Sequence, residues 1–195
     1  ALRRLAAADA LTSLAGHRRQ ASWTVSGLHP SATPAQGDLF EAAPAPEAAL
    51  RFAPPTLGES LVADYASLGH SLRAHPLALL RERLAQRRFV PLERALGAGD
   101  RALLRVAGIV TCRQKPGTAK SVFVTLEDET GVLNVMVWPK VAERQRRELL
   151  GARLLGVYGQ VQADAASGVV QFIAQQLVDL TSWLGQLETT SRDFH

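Results

Sequence analysis

The sequence holds a single cysteine, Cys112, which excludes a disulfide framework and a cysteine-rich zinc site. No apolar run approaches the roughly 20 residues a membrane-spanning helix needs, so no membrane association is expected. The first residues, Ala1-Leu2-Arg3-Arg4-Leu5, include no Met and have no signal-peptide shape; they read as the middle of a helix. The expectation is a piece of a longer cytoplasmic protein. Catalytic sets are missing too. His17, His29, His70, His75 and His195 are scattered without metal-ligand spacing. No glycine loop is shaped to cradle phosphate, and no pair of carboxylates has the setting of a two-metal site. Asp128 and Glu129 stand beside Glu127 in a turn whose chemistry accounts for them.

What is present is a moderately basic chain. Apolar residues make up 47% of it, enough for a core. Aromatics reach only 6%, so each one is worth locating. A net charge of +4 and a pI near 9.8 are compatible with nucleic acid without requiring it.

Residues 1–28 read as short helices, with Leu2, Leu5, Ala6, Leu11 and Leu14 on one face and Gly16 as a break. A helix pair of this size is too small to bury a core alone. Residues 29–56 form a Pro/Ala-rich linker: six of the ten prolines fall here, a composition that does not build a packed core. Residues 57–98 return to helix as a connector. Thr56 and Glu59 have capping-box spacing, Gly69 ends the first helix, and Pro76 opens a second that covers Leu77 to Leu84.

From residue 99 the period changes to two. Leu104, Val106, Gly108 and Val110 alternate with Arg105, Ala107, Ile109 and Thr111, followed by Arg113 and Lys115. Further strands are expected over Val122–Glu127, Val132–Trp138, Arg153–Gln162 and Val169–Ala174, with a helix from Pro139 to about Leu150. The order β-β-β-α-β-β is that of a five-stranded OB barrel over residues 99–178. The fold class is therefore α+β, helices and a linker ahead of an OB barrel. A closing helix, Val178 to Leu187, and a polar tail fill residues 179–195.

An OB barrel presents ligands to its second and third strands and the flanking loops. Strand parity turns Val124, Leu126, Leu133, Val135 and Val137 inward. It turns Phe123, Thr125, Asn134, Met136 and Trp138 outward, where Phe123 and Trp138 offer stacking surfaces for bases. Arg113, Lys115 and Lys120 flank that face as phosphate contacts. Between Arg101 and Arg153 there are ten Lys/Arg against five Asp/Glu, so the positive excess concentrates on the barrel. Arg144, Arg146 and Arg147 read instead as the solvated face of a helix, and Cys112 as a small buried hydrophobe. Arg18 and Arg19 read either as DNA-backbone contacts or as a solvated helix end.

One apolar island, Gln36-Gly37-Asp38-Leu39-Phe40, interrupts the linker. An extended peptide of this kind presents two adjacent apolar anchors, Leu39 and Phe40, while the Gln36 amide fixes register.

Several stretches together resemble one family. Phe123-Val124-Thr125-Leu126-Glu127-Asp128-Glu129-Thr130-Gly131 is similar to the OB domain of the DNA polymerase III alpha subunit and its relatives. Val106 to Val110, Arg113 to Lys120, Val137-Trp138-Pro139-Lys140-Val141 and Ser191 to His195 resemble the C-terminal region of the error-prone, C-family alpha-subunit homologue of a bacterial mutagenesis cassette. Asp64-Tyr65 and Gly69 to Leu77 resemble its segment before the OB domain, and Ala8 to Leu11 with Arg18 to Ala21 and Trp23 the end of its helix-hairpin-helix region. The resemblance implies a parent DNA-directed DNA polymerase using Mg2+, with its catalytic aspartates upstream of Ala1. It implies single-stranded DNA as ligand and, through Gln36, Leu39 and Phe40, a sliding clamp as partner. A catalytically inactive Y-family-like protein of the cassette is a further implied partner. The competing reading is a protein-interaction module whose barrel docks that partner or the clamp and touches DNA little. A weaker one is the tRNA-binding OB domain of a synthetase, without a class-defining motif to support it.

Overall fold

The computed structural model describes residues 1–28, 50–117, 121–163 and 170–193. The chain divides into two compact units, Ala1–Leu68 and Gly69–His195. The stretch read as one connector, 57–98, is therefore split, its first helix belonging with the N-terminal helices and the rest with the barrel. No helix among the described residues is long and apolar enough to cross a membrane.

The first unit consists of α1 (Leu2–Ala7), α2 (Thr12–Ala15), α3 (Arg18–Gly27) and α4 (Leu57–Leu68). Ala6, Ala21 and Val25 form a small buried cluster, with Leu11 and Ala15 packed against it, and Leu61 of α4 is also buried. Polar ties supplement that core. Buried Arg18 donates to the Ser60 carbonyl at 3.0 Å and pairs with buried Asp64, joining α3 to α4. Arg19 pairs with Glu59 at 2.9 Å. Arg18 is thus spent inside the unit, whereas Arg19 stays on the surface, as a solvated helix end. The Gln20 amide donates to the Leu50 carbonyl and accepts from Phe52 N–H, holding 50–52 against α3. His17 caps α3, its Nδ1 accepting from Gln20 N–H while Nε2 faces the Phe52 carbonyl at 3.0 Å. The Thr56–Glu59 capping box forms as its spacing predicts: Glu59 Oε2 accepts from Thr56 N–H at 2.8 Å, and Thr56 Oγ1 accepts from Glu59 N–H at 3.3 Å.

The second unit begins with α5 (Pro76–Gln86), capped by His75 Nδ1, and α6 (Leu92–Leu96), a helix the hydrophobic pattern did not reveal. Strands β1 (Leu103–Gln114), β2 (Val122–Asp128), β3 (Gly131–Val137), β4 (Leu154–Ala163) and β5 (Val170–Asp179) follow. Their order is β2-β3-β5-β4-β1, and a β1–β2 pairing closes the barrel. The β3–β5 pair is parallel and the others are antiparallel. This is the five-stranded OB barrel that the strand order implied. Its interior is filled by Val106, Val124, Leu126, Leu133, Val135, Leu155, Val157, Phe172 and Leu177, all buried. Leu92 and Ala95 of α6 add to the same core.

Two glycines let strands approach. A Cβ on Gly108 would lie 2.7 Å from Leu126 Cβ, and one on Gly159 would lie 2.3 Å from the Ile173 carbonyl oxygen. The segment between β3 and β4 is two short helices, α7 (Pro139–Arg144) and α8 (Arg146–Gly151), broken at Gln145. The Gln145 amide accepts from Leu177 N–H at 2.9 Å and donates to the Leu177 carbonyl at 2.7 Å. It meets β5 just past a register shift, where Tyr158 faces Gln176 and Gly159 faces Ala174, leaving Gln175 as the extra residue. The closing helix expected from Val178 to Leu187 is not found. Val178 and Asp179 belong to β5, only a 3-10 turn spans Thr181–Leu184, and β6 (Arg192–Asp193) then pairs parallel with β1. Extended pairing with Leu155 and Gly156 outcompetes helix over those two residues.

Candidate nucleic-acid interface

The candidate face is the outer surface of β1, β2 and β3. Parity holds through β2 and β3: Val124, Leu126, Leu133, Val135 and Val137 are buried. Phe123, Thr125 and Met136 are partly buried on the other side, and Asn134 is exposed. Pairing sets these side chains in rows. Gln114, Phe123, Met136 and Ile173 are successive cross-strand neighbours on β1, β2, β3 and β5. Cys112, Thr125 and Asn134 form the next row, and Thr125 Oγ1 donates to Asn134 Oδ1 at 3.0 Å. Side chains directly opposite on neighbouring strands stand about 5 Å apart. The result is an aromatic-aliphatic strip beside a hydroxyl-amide strip, suited to base stacking beside base-edge hydrogen bonding. Trp138 lies where β3 ends and α7 begins, 51% exposed, with Pro139 in the first turn of the helix behind it. Lys115 is exposed just past the end of β1. Cys112, expected to be a small buried hydrophobe, is only partly buried and lies in the outer row.

Arg113 departs from its expected place. The β1–β2 register shifts between Val110 and Cys112, so Thr111 is an extra residue and the alternation reverses after it. Arg113 stands opposite buried Val124 and is itself buried. Its Nε donates to the Leu149 carbonyl at 2.7 Å and a terminal nitrogen to Ser191 Oγ at 2.7 Å; the Ala152 carbonyl is a third acceptor. Those carbonyls lie at the C-terminal end of α8, where helix carbonyls lack intrahelical partners. Arg113 fastens α8 and the C-terminal segment to β1 and is removed from the phosphate-contact set. Lys120, Gln36, Leu39 and Phe40 lie outside the described residues.

The turn between β2 and β3 does more than reverse the chain. The Asp128 carboxylate is buried and accepts from Thr130 N–H at 2.7 Å, Gly131 N–H at 3.1 Å and Leu92 N–H at 2.9 Å, and pairs with Arg81 at 2.8 Å. Glu129 pairs with Arg81 at 2.5 Å, and Thr130 Oγ1 accepts from Glu93 N–H at 3.1 Å. The Glu127-Asp128-Glu129-Thr130-Gly131 run thus anchors α5 and the start of α6 to the barrel. The run of three carboxylates before Thr-Gly was the visible signal, but its cationic partner is 47 residues away in sequence.

Residues 104–180 match a family model described as OB-fold nucleic acid binding domain. The chain is 60% identical over 98% of its length to the error-prone DNA polymerase of Azoarcus sp. strain BH72, of which it covers 17%. It is 57% identical over 98% of its length to that of Dechloromonas aromatica strain RCB, covering 18%. The chain therefore spans less than a fifth of the length of these curated relatives. Among solved structures, asparaginyl-tRNA synthetase from Pyrococcus horikoshii matches at 25% identity and a TM-score of 0.35, over 42% of this chain and 20% of that one.

Proposed function

Taking the chain as a segment of the error-prone DNA polymerase family that carries an OB domain, we propose that its barrel holds single-stranded template DNA. Phe123 and Met136 stack with bases, with Trp138 at the edge of the same face. Asn134 reaches base edges, and Lys115 with Lys120 meets phosphates. The observation that supports this most is the cross-strand row from Gln114 through Phe123 and Met136 to Ile173, in which a partly open aromatic ring stands between a glutamine and a methionine. The parent's role on this reading is damage-induced mutagenesis and translesion synthesis in the bacterial cytoplasm. Its Mg2+ is assigned to a part of the polymerase outside this chain. Among the described residues no group of three or more His, Cys, Asp or Glu side chains is arranged for a metal ion. Gln36, Leu39 and Phe40 supply a tether for the sliding clamp.

Phe123→Ala is expected to cost about 1–3 kcal/mol in binding to a single-stranded oligonucleotide, read by fluorescence anisotropy at low salt. Unchanged affinity overturns the assignment of this face. For the tether, a pull-down with the clamp using Leu39→Ala with Phe40→Ala decides. Equal retention of variant and parent chains removes the peptide from the proposal. A barrel that instead docks the cassette partner would bind it with little salt dependence, whereas phosphate contacts weaken steeply as salt rises.

A further inference from the structure

Arginines of the barrel unit are used in contrasting ways. Arg81 and Arg113 are committed to internal partners. Arg83, Arg87 and Arg105 are exposed and form no ion pair among the described residues. They are nonetheless ordered by aromatic rings. The Arg83 guanidinium lies 3.9 Å and that of Arg87 5.0 Å from the Trp183 ring centre. Arg105 lies 4.7 Å from that of Tyr158. Phe89, whose ring is 5.7 Å from Tyr158, links the two clusters through the chain that follows α5. Tyr158 also lines an open groove of about 600 Å³ together with Arg144, Gln145, Gln175 and Gln176. The bulge at Gln175 turns two consecutive glutamines to solvent there, and Arg144 donates to the Gln175 carbonyl at 3.3 Å. The nearby carboxylate of Asp179 accepts from Thr181 N–H.

We propose that this side of the barrel, over β4, β1 and the end of α5, is a second DNA contact that holds a phosphate backbone. Arg83, in the last turn of α5, and Arg87, its C-cap residue, are four residues apart, a spacing at which like charges repel. Both rest on one indole, so the repulsion is built into the free protein and is relieved when an anion bridges them. Guanidinium planes match phosphate geometry and are weakly hydrated. The Trp183 and Tyr158 faces are already covered by guanidinium, so this surface grips backbone and leaves base stacking to the Phe123 face. An acidic peptide would meet the same charges through an arginine cluster, but residues 104–180 match a nucleic-acid-binding OB model, which favours a phosphate backbone as the occupant. Strand order places the surface over β4, which lies between β5 and β1 on the far side of the barrel from the β2–β3 pair. A strand engaged on one face can therefore continue round to the other.

The test is anisotropy titration of the full chain with fluorescent oligo-dT and with a duplex, across a salt series. The variants are R83Q/R87Q/R105Q together and F123A alone. The triple variant is expected to weaken binding about tenfold or more and to flatten the log–log salt slope by about 2, three contacts at roughly 0.7 each on a single strand. F123A is expected to keep the wild-type slope. Loss in the triple variant with none in F123A supports this surface and sinks the β2–β3 reading; the reverse pattern sinks this proposal. Unchanged oligonucleotide binding with loss of polyglutamate binding overturns it in favour of an acidic peptide. If the triple variant fails to fold, hydrogen exchange on the unaltered chain decides. Protection of 83–88 and 181–184 by oligo-dT supports the surface, and its absence overturns it.

Discussion

Each unit buries an arginine, and the two are used differently. In the helical unit Arg18 of α3 pairs with Asp64 of α4, beside a small core that includes Ala6, Ala21 and Val25 and near the buried Leu61 of α4. In the barrel unit Arg113 sits at the edge of a large aliphatic core and ties down a helix end and the C-terminal segment. In the small core, the buried pair fixes how α3 and α4 meet. Placed beside a full core, the buried arginine fastens the parts the core does not reach.

The sharpest break of this comparison is Asp64→Ala. Removing one partner of a buried pair costs about 3–5 kcal/mol. The expected reading is loss of hydrogen-exchange protection in α3 and α4 while β2 and β3 keep theirs. Arg113→Ala is expected to cost less, about 1.5–3 kcal/mol, from lost charge-assisted bonds. Urea unfolding reads that loss, and the salt slope of oligonucleotide binding is expected to stay unchanged. A slope that falls with Arg113→Ala would return this residue to the phosphate contacts. Thr56→Ala, which removes the hydroxyl of the capping box, is expected to cost the helical unit about 1 kcal/mol, seen in the thermal melt.

The smallest effect concerns pH. Burial holds the His75 imidazole below its ordinary 6.5, against the pull of Glu127, Glu129 and Asp128 toward the charged form. Arg81 adds to the lowering. The unfolded chain then binds more protons below 6.5, so the contribution of neutral His75 is present above that pH and erodes as pH falls toward the depressed value. His75→Asn keeps a capping acceptor and is expected to flatten the melting temperature over that range.

The barrel was legible because its strands alternate and its turns carry Gly, Asp and Thr. Val124, Leu126, Leu133, Val135 and Val137 point where period two places them. What misled was local irregularity. Thr111 and Gln175 are extra residues opposite a partner strand, and only the pairing partner reveals such a residue. The first reversed the side of Arg113. The second placed two exposed glutamines in succession, so β5 read as finished at Ala174 although it runs to Asp179. Similarly, α6 is five residues long and owes its place to Asp128 and Thr130 far along the chain, so no periodicity marks it. The outer face itself was readable as a set of side chains. Which basic residues belong to it depended on tertiary ties.

The Gln145 amide bonded to both sides of Leu177 fixes the length of the segment that carries it. One residue inserted in α7 would swing Gln145 by about 100° around the helix axis and take its amide off the strand. Length variation between β3 and β4 should therefore be tolerated poorly before Gln145. After Gln145, the Leu149 and Ala152 carbonyls bound to Arg113 hold the far end of α8, so neither side of the amide offers free register for a graft or tag.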